Sequence, residues 1–342
     1  MYVCSYEYII IYACFCQYIS INLFLFTLCS NFWYIIEVIN FIYRENEMNK
    51  DKTSKKSFII FLTATVSAIL SVALRCVNFF FFFDTELGYY TKGAALPIVF
   101  NILLFASAIF FIVFSFIGSK EDRMVYRAPS LFSKILLFIP AILSATLAVY
   151  NLTKAIKGEP ECLILMLISA FASLYFISDI LKLRVITKIE FNILVIIVLT
   201  LMLAFSYFDQ KVQMNSPDKL LFGLACISSM LFTVSELKVA VGTARPSVYM
   251  LSAASSILFG FSSAIPSIVA FHTKKLPESN GLYFEYYFIL AMAIYATIRL
   301  FTVFSKKGGR ALYDSAPEPI AEVVTSDAEN ESTEETDTNE EN

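Results

Sequence analysis

Eight long apolar runs occupy the chain between Ser57 and Phe304, and the short segments between them alternate between rich and poor in Lys and Arg. A helix needs about 20 apolar residues to cross roughly 30 Å of hydrocarbon. In lipid the backbone must satisfy its own hydrogen bonds, so only helices or a closed barrel can cross. The run 193–208 is apolar on nearly all sides, whereas barrel strands alternate polar and apolar residues. The sequence therefore predicts an all-α polytopic transmembrane bundle.

The composition supports the same fold class. Hydrophobic residues make up 58% of the 342 residues and charged residues only 16%, against about 25% charged residues in a typical soluble domain. The mean hydropathy is +0.68. So much apolar surface indicates a lipid solvent, and the bilayer is the first predicted partner. The predicted spans are 57–78, 95–117, 131–151, 162–181, 190–208, 219–237, 248–271 and 284–304.

The basic residues predict how the chain is oriented. One alternate set of flanking segments holds 15 Lys and Arg residues and the other holds seven. The positive-inside rule assigns the richer set to the cytoplasm. Both termini of the chain counted from Met48 are then cytoplasmic. This layout is typical of multi-pass proteins of the bacterial plasma membrane.

Three regions are expected. Residues 1–47 hold the only Trp and four of the seven Cys but no Lys. Met48 then begins a basic leader of the kind that precedes a first span. We therefore treat 1–47 as a doubtful N-terminal extension, which is either translation upstream of the natural start or one extra span near residues 9–41. Residues 48–310 form the predicted helical membrane domain.

The third region, residues 311–342, has 11 acidic residues and no basic one. Such a segment cannot bury enough apolar surface to offset its ordering entropy. It is predicted to be a disordered acidic cytoplasmic tail. It either keeps the protein soluble at that end or acts as a strap that binds the basic inner loops.

Ionisable side chains inside a span are costly and mark candidate functional positions. Arg75 lies near the outer end of the first span, where it either snorkels to the boundary or is buried and needs an acid. In the second case it forms an outer anion-binding or gating cluster. The predicted members of this outer cluster are Arg75, Asp84, Glu86 and Glu285.

A second group of charges is predicted at similar depth near the inner ends of four spans. Its members are Lys134, Asp179, Glu236 and Arg299. They either reach lipid headgroups or pair in an inner vestibule, as in proton- or ion-coupled carriers. The segments that end in Lys182 and Lys238 are similar, which fits a parallel internal repeat of the kind found in transporters.

The seventh span carries small residues at every fourth position, namely Ser252, Ser256, Gly260 and Ala264. Small residues at this spacing let helices approach closely in lipid. A pore-lining stripe of hydroxyl groups is the alternative reading. Pro140 and Pro266 each remove a backbone donor inside a span and are predicted to kink their helices.

No catalytic motif, metal site or cofactor site is predicted. The single histidine, His272, falls in an outer loop, and the chain has no glycine-rich phosphate loop or nucleophile elbow. The cysteines have no metal-ligand spacing; buried free thiols are favoured over an outer Cys76–Cys162 disulfide. The basic loops are those that membrane topology requires, so nucleic acid is not a predicted partner.

Three functional hypotheses remain. The first is transport of a small solute or ion, which the kinks, the inner charges and the repeat support. The second is a noncatalytic sensory or scaffolding component that binds a membrane partner. The third and least favoured is an intramembrane enzyme, which would use Asp179 and Glu236. A polar cavity at mid-membrane would favour the first, and a dry aromatic core the second.

Overall fold

The computed structural model describes residues 52–84, 89–90, 95–117, 131–157, 162–178, 180, 185–208, 216–273 and 283–304. All structural statements below concern these residues. From Lys56 onward, the described residues belong to one compact unit, Lys56–Asn342. The predicted N-terminal extension and acidic tail lie outside the described residues, so both stay predictions.

The described chain folds into eight helices and one short hairpin. The helices are α1 Lys52–Phe81, α2 Ala95–Phe116, α3 Leu131–Ile156, α4 Cys162–Ser178, α5 Val185–Phe208, α6 Pro217–Val241, α7 Pro246–His272 and α8 Tyr283–Phe304. Strands β1 (Phe83–Asp84) and β2 (Tyr89–Tyr90) pair antiparallel, with Phe83 opposite Tyr90. Each predicted span coincides with one helix, so the helical fold class is confirmed.

Six of these helices are long and apolar enough to cross a membrane. The candidate spans are Lys56–Phe81, Ala95–Phe116, Ser133–Thr153, Ile189–Phe208, Pro217–Val241 and Pro246–His272. The other two helices are α4, which has 17 residues, and α8. Helices of this length and hydropathy are those of a multi-pass membrane protein.

The core of the bundle lies around α6, α7 and α8. In the most apolar 18-residue stretch of α7, 61% of the residues are buried, whereas in that of α2 the share is 28%. Helix α2 instead exposes large apolar side chains such as Phe105 and Ile102. Because exposed apolar surface of this size is suited to lipid rather than water, α2 is peripheral and α6–α8 hold the centre.

Local sequence signals fix the ends of α6. The Ser216 hydroxyl accepts a hydrogen bond from the Lys219 backbone N–H at 3.2 Å, and Pro217 occupies the first helical position. Both are standard signals for a helix start. The helix ends at Gly242, whose φ of 78° is a left-handed conformation that glycine adopts without steric cost. Local capping interactions therefore define both ends of α6.

The small residues of α7 lie against its two neighbours. Ser256 contacts Ser229 of α6, with 3.3 Å between the two hydroxyl oxygens, and Ser252 donates to the Ser235 hydroxyl of α6 at 2.9 Å. Gly260 faces α8 so closely that an added Cβ would lie 2.8 Å from the Ala293 Cβ. Ala264 is fully buried. The stripe thus brings α7 close to both α6 and α8.

Gly260→Ala is expected to destabilise the protein, whereas Gly223→Ala is its matched control. Overpacking a tight core costs about 1–3 kcal/mol, which exceeds the gain of up to about 1 kcal/mol from the better helix propensity of Ala. A Cβ at Gly223 would meet only Leu203 at 3.6 Å, so that variant should be neutral or stabilising. Denaturant titration in mixed micelles measures both. Ala293→Gly should rescue Gly260→Ala; without rescue, the close contact is not the cause.

The two described cysteines are buried free thiols, Cys76 and Cys226. The side chain of Cys162 lies outside the described residues, as do Asp179 and Glu86. Both predicted kink positions, Pro140 and Pro266, lie inside helices, in α3 and α7 respectively.

Candidate functional site

Helix α6 carries two carboxylates on one face, at its opposite ends. Asp218 and Glu236 are separated by 18 residues, which is about five full helical turns, or about 27 Å of axial rise. Asp218 belongs to the first turn, and Glu236 is fully buried near the other end. Each carboxylate gathers side chains from the neighbouring helices, so the structure has two polar clusters in one apolar core.

The Asp218 cluster consists of Asp218, Arg75, Ser267 and Tyr286. Arg75 of α1 forms an ion pair with Asp218 through Nη2. The Tyr286 hydroxyl of α8 donates to Asp218 Oδ2 at 2.5 Å, and the Ser267 hydroxyl of α7 donates to Oδ1 at 3.1 Å. Helices α1, α6, α7 and α8 therefore meet at one carboxylate.

A proline supplies the second acceptor for Arg75. Pro266 has no backbone N–H, so the carbonyl of Ser262, four residues earlier, loses its usual helical donor. Arg75 Nη1 donates to this carbonyl at 2.6 Å. The guanidinium also lies 5.1 Å from the Phe79 ring centroid, which adds a cation–π contact. Arg75 is only 1% exposed, so it lies inside the core and not at a lipid boundary.

Tyr90 of the hairpin lies beside the same guanidinium and accepts a hydrogen bond from it. Burial raises the pKa of the Tyr90 phenol, and the nearby Asp218 charge acts in the same direction, whereas Arg75 opposes both. Because the net effect is an increase, the phenol stays neutral at physiological pH. Tyr90 therefore adds a hydrogen-bonding group next to Arg75 without a second negative charge.

The Glu236 cluster consists of Glu236, Arg299 and Tyr249. Arg299 of α8 binds both carboxylate oxygens, with Nε 2.9 Å from Oε1 and Nη2 2.8 Å from Oε2. The Tyr249 hydroxyl of α7 donates to Oε1 at 2.5 Å. The side chains of Glu236 and Arg299 are both 0% exposed. This two-point geometry is the strongest form of an Arg–carboxylate pair.

The two clusters share a common core of one carboxylate, one arginine and one tyrosine, although Ser267 is an additional member of the Asp218 cluster and the partner helices differ. Each carboxylate binds one arginine and one tyrosine hydroxyl, and each tyrosine packs against a phenylalanine of α6. The ring centroids are 5.2 Å apart for Phe222 and Tyr286, and 5.9 Å apart for Phe232 and Tyr249. Between these two aromatic layers, the same face of α6 carries Ala225 and Ser229. Along this face, Ser229 therefore lies between two Phe–Tyr pairs, and one of the two ion pairs lies beyond each of them.

Three buried polar side chains lie near the Asp218 cluster without a hydrogen-bond partner among the described residues. Ser71 and Asn78 occupy the same face of α1 as Arg75, and Ser263 of α7 adjoins the carbonyl that Arg75 binds. All three are 0% exposed. Unsatisfied buried polar groups are uncommon and often mark a functional position or a buried water. This end of the core thus holds buried polar groups in addition to those of the cluster itself.

The structure corrects the predicted partners of Arg75. Its acid is Asp218, whereas Asp84 is exposed in β1 and Glu285 is half-buried in the first turn of α8. Glu86 lies outside the described residues. In the predicted inner cluster, the structure brings Glu236 and Arg299 into contact. Lys134 is half-buried on α3 and takes no part in their hydrogen bonds, and Asp179 lies outside the described residues.

Sequence reasoning missed Asp218, Tyr249 and Tyr286. Asp218 directly precedes the predicted span 219–237, so hydropathy alone leaves it outside the bundle. The segment Ser216-Pro217-Asp218 carries a helix-start signal that would have moved the boundary outward. No comparable signal distinguishes Tyr249 and Tyr286 from the other tyrosines, since their role depends on which helix each one faces.

Comparison with protein-family models, with curated proteins and with solved structures found no match to this chain. Within the described part of the chain, no group of three or more His, Cys, Asp or Glu side chains is arranged to hold a metal ion. The chemistry that the described site shows is charge pairing: one arginine and one tyrosine hydroxyl bind each carboxylate.

Proposed function

We propose that the protein is a multi-pass integral membrane protein of the plasma membrane that transports a small solute or ion. In this proposal all eight helices span the bilayer, and the Met48–Arg310 domain has both ends in the cytoplasm. The Asp218 cluster is then the outer gate and the Glu236 cluster the inner gate. A gate here means a cluster whose ion pair must separate before a solute can pass.

The observation that carries this proposal is the placement of two carboxylate–arginine–tyrosine clusters at opposite ends of one helix face. A single buried ion pair is weak evidence for stability alone, since the desolvation penalty can exceed the Coulombic gain. Charged groups inside spans instead commonly line pathways or couple to ions. Two gates about 27 Å apart nearly match the hydrocarbon thickness of about 30 Å. Pairs at both ends suit a carrier in which one gate opens while the other stays closed.

The runner-up function is a noncatalytic sensory or scaffolding component, and one observation favours it. The described core is dominated by apolar and aromatic side chains, with Tyr295 packed against Tyr175, Phe176 and Phe232 at centroid distances of 5.2–5.9 Å. In that case the two clusters are static connections between helices. The enzyme hypothesis has less support, because Arg299 and Tyr249 already occupy the Glu236 carboxylate.

Native Cys226 provides the test of gating. It is 0% exposed and lies eight residues after Asp218 and ten before Glu236. In a variant that keeps only this cysteine, sealed vesicles are treated with a membrane-impermeant maleimide from either side. Asp218→Asn is expected to speed labelling from the outer side alone, and Glu236→Gln from the inner side alone. A tenfold change in labelling rate corresponds to about 1.4 kcal/mol in the free energy of opening. This is less than the free energy lost when a buried ion pair is broken.

The control is the same background with Cys226→Ala, which should not be labelled. Labelling that rises equally from both sides would indicate general loosening of the bundle. No change from either side would indicate static clusters. Either outcome rejects gating and leaves the noncatalytic component as the better description.

A further inference from the structure

A pocket of about 220 Å³ opens where α6 ends and α7 begins. It is lined by Ser235, Lys238, Thr243, Ala244, Arg245, Val248 and Tyr249. None of these residues belongs to the predicted inner or outer cluster, and only Tyr249 belongs to a cluster described above. The pocket is therefore a separate feature of the fold.

The pocket has an excess of positive charge and of hydrogen-bond donors. Lys238 and Arg245 both line it, and the ion pairs of the described residues, Arg75–Asp218 and Arg299–Glu236, involve neither of them. Thr243 adds a hydroxyl group. The nearest carboxylate in the sequence, Glu236, is already bound by Arg299 and Tyr249. The net charge of about +2 is thus available to a ligand, and Arg and Lys together are suited to a phosphate group.

The start of α7 adds to this positive field. Arg245 is the N-cap residue, but no side-chain hydrogen bond caps the helix, and Pro246 follows at the first helical position. The first N–H groups of a helix have no partner within the helix and carry partial positive charge. This contribution supplements the two cationic side chains and is not needed to identify the pocket.

The face of α6 that leads to the pocket is apolar and exposed. Lys238 shares a helical face with Leu224, Ile227 and Leu231, which are each 46–55% exposed. A ligand with a phosphate group and hydrocarbon chains would match both parts, because its chains could lie along this stripe while the phosphate contacts Lys238 and Arg245. A free phosphate ion would match only the pocket.

We propose that this pocket binds the phosphate group of an anionic phospholipid from the cytoplasmic leaflet. Basic pockets between spanning helices on that side bind anionic headgroups. Tyr249 lines the pocket and also donates to Glu236, so the bound lipid holds Tyr249 in place and stabilises the Glu236 cluster. The proposal rests on the membrane orientation given above and not on transport.

The test uses the full chain purified into nanodiscs of phosphatidylcholine with increasing phosphatidylglycerol. The readout is the thermal unfolding temperature, from which an apparent lipid affinity is obtained. Phosphatidylglycerol should raise this temperature in the parent protein. Lys238→Gln with Arg245→Gln should weaken the apparent affinity about tenfold or more, because each cation contributes to the attraction. Lys306→Gln with Lys307→Gln removes the same charge from the same predicted side and should have a much smaller effect.

Inorganic phosphate in phosphatidylcholine nanodiscs distinguishes the two sources of the ligand. If it stabilises the protein as well as the lipid does, the ligand is free phosphate and the lipid proposal is wrong. Equal lipid effects in the parent and in the Lys238/Arg245 variant would also overturn it, since the response would then come from charge elsewhere. Both outcomes are independent of the Cys226 labelling result, so the lipid-binding proposal and the gating proposal are tested separately.

Discussion

Replacing Arg299 by Met is expected to lower the free energy of unfolding by about 3–5 kcal/mol, because it leaves a buried carboxylate without its counter-charge. Glu236 and Arg299 are both 0% exposed, so water cannot compensate for the lost partner. The remaining Tyr249 hydrogen bond offsets only a small part of this penalty. The effect should be among the largest of any single substitution in the protein.

A double-mutant cycle with Glu236→Gln separates pairing from packing. Glutamine is uncharged and still offers Tyr249 an acceptor, so the double variant should be more stable than Arg299→Met alone. Denaturation by SDS in mixed micelles measures all four corners of the cycle. Lys134→Met, at a position predicted from sequence to join the same cluster, should change stability by less than about 0.5 kcal/mol. Additive losses in the cycle would mean that Glu236 and Arg299 do not interact in the membrane.

The second large effect is expected for Arg75→Met, which removes the ion pair with Asp218 and the donor to the Ser262 carbonyl. We expect a loss of about 3 kcal/mol, at the low end of the range for a broken buried pair, because the Asp218 side chain is 14% exposed. Tyr286 and Ser267 continue to donate to Asp218. The Ser262 carbonyl has neither Arg75 nor a helical donor in this variant.

Pro266→Ala tests the carbonyl specifically. In the Arg75→Met background it restores an N–H four residues after Ser262, so it should recover about 1 kcal/mol, the usual worth of one hydrogen bond. In the parent protein the new N–H competes with Arg75 for the same carbonyl, and the gain should be smaller. Measuring Pro266→Ala in both backgrounds within one denaturation series tests whether its gain in stability depends on Arg75. An equal gain in both backgrounds would show that Pro266 does not provide the acceptor for Arg75.

The helices could be predicted from the sequence because apolar runs of about 20 residues have few other stable arrangements. The pairing of the charges could be predicted only in part. Depth along a span places Glu236 and Arg299 at the same level, but which helix faces meet depends on the packing of the whole bundle. Asp218 is missed for a simpler reason: hydropathy alone places the boundary at residue 219, two residues after the helix begins at Pro217, and so leaves this acid outside the span.

The distribution of small residues shows the same limit. The four-residue spacing of α7 predicts close packing but does not identify the partner helix. The structure divides the stripe: Ser252 and Ser256 contact α6, whereas Gly260 contacts Ala293 of α8. Ala293 is one of several alanines in α8, and only the approach distance identifies it as the partner. Such pairings depend on two helices at once and so have no signature in either one.

The five-turn spacing of Asp218 and Glu236 also limits how α6 can move. Both carboxylates point in one azimuthal direction. Rotation of α6 about its own axis would therefore separate both from their arginines at once, which would open both proposed gates together. A tilt that pivots near Ser229 would instead draw one carboxylate away while pressing the other inward. If the protein alternates between an outward-open and an inward-open state, α6 should therefore tilt about a point near its middle and not rotate about its axis.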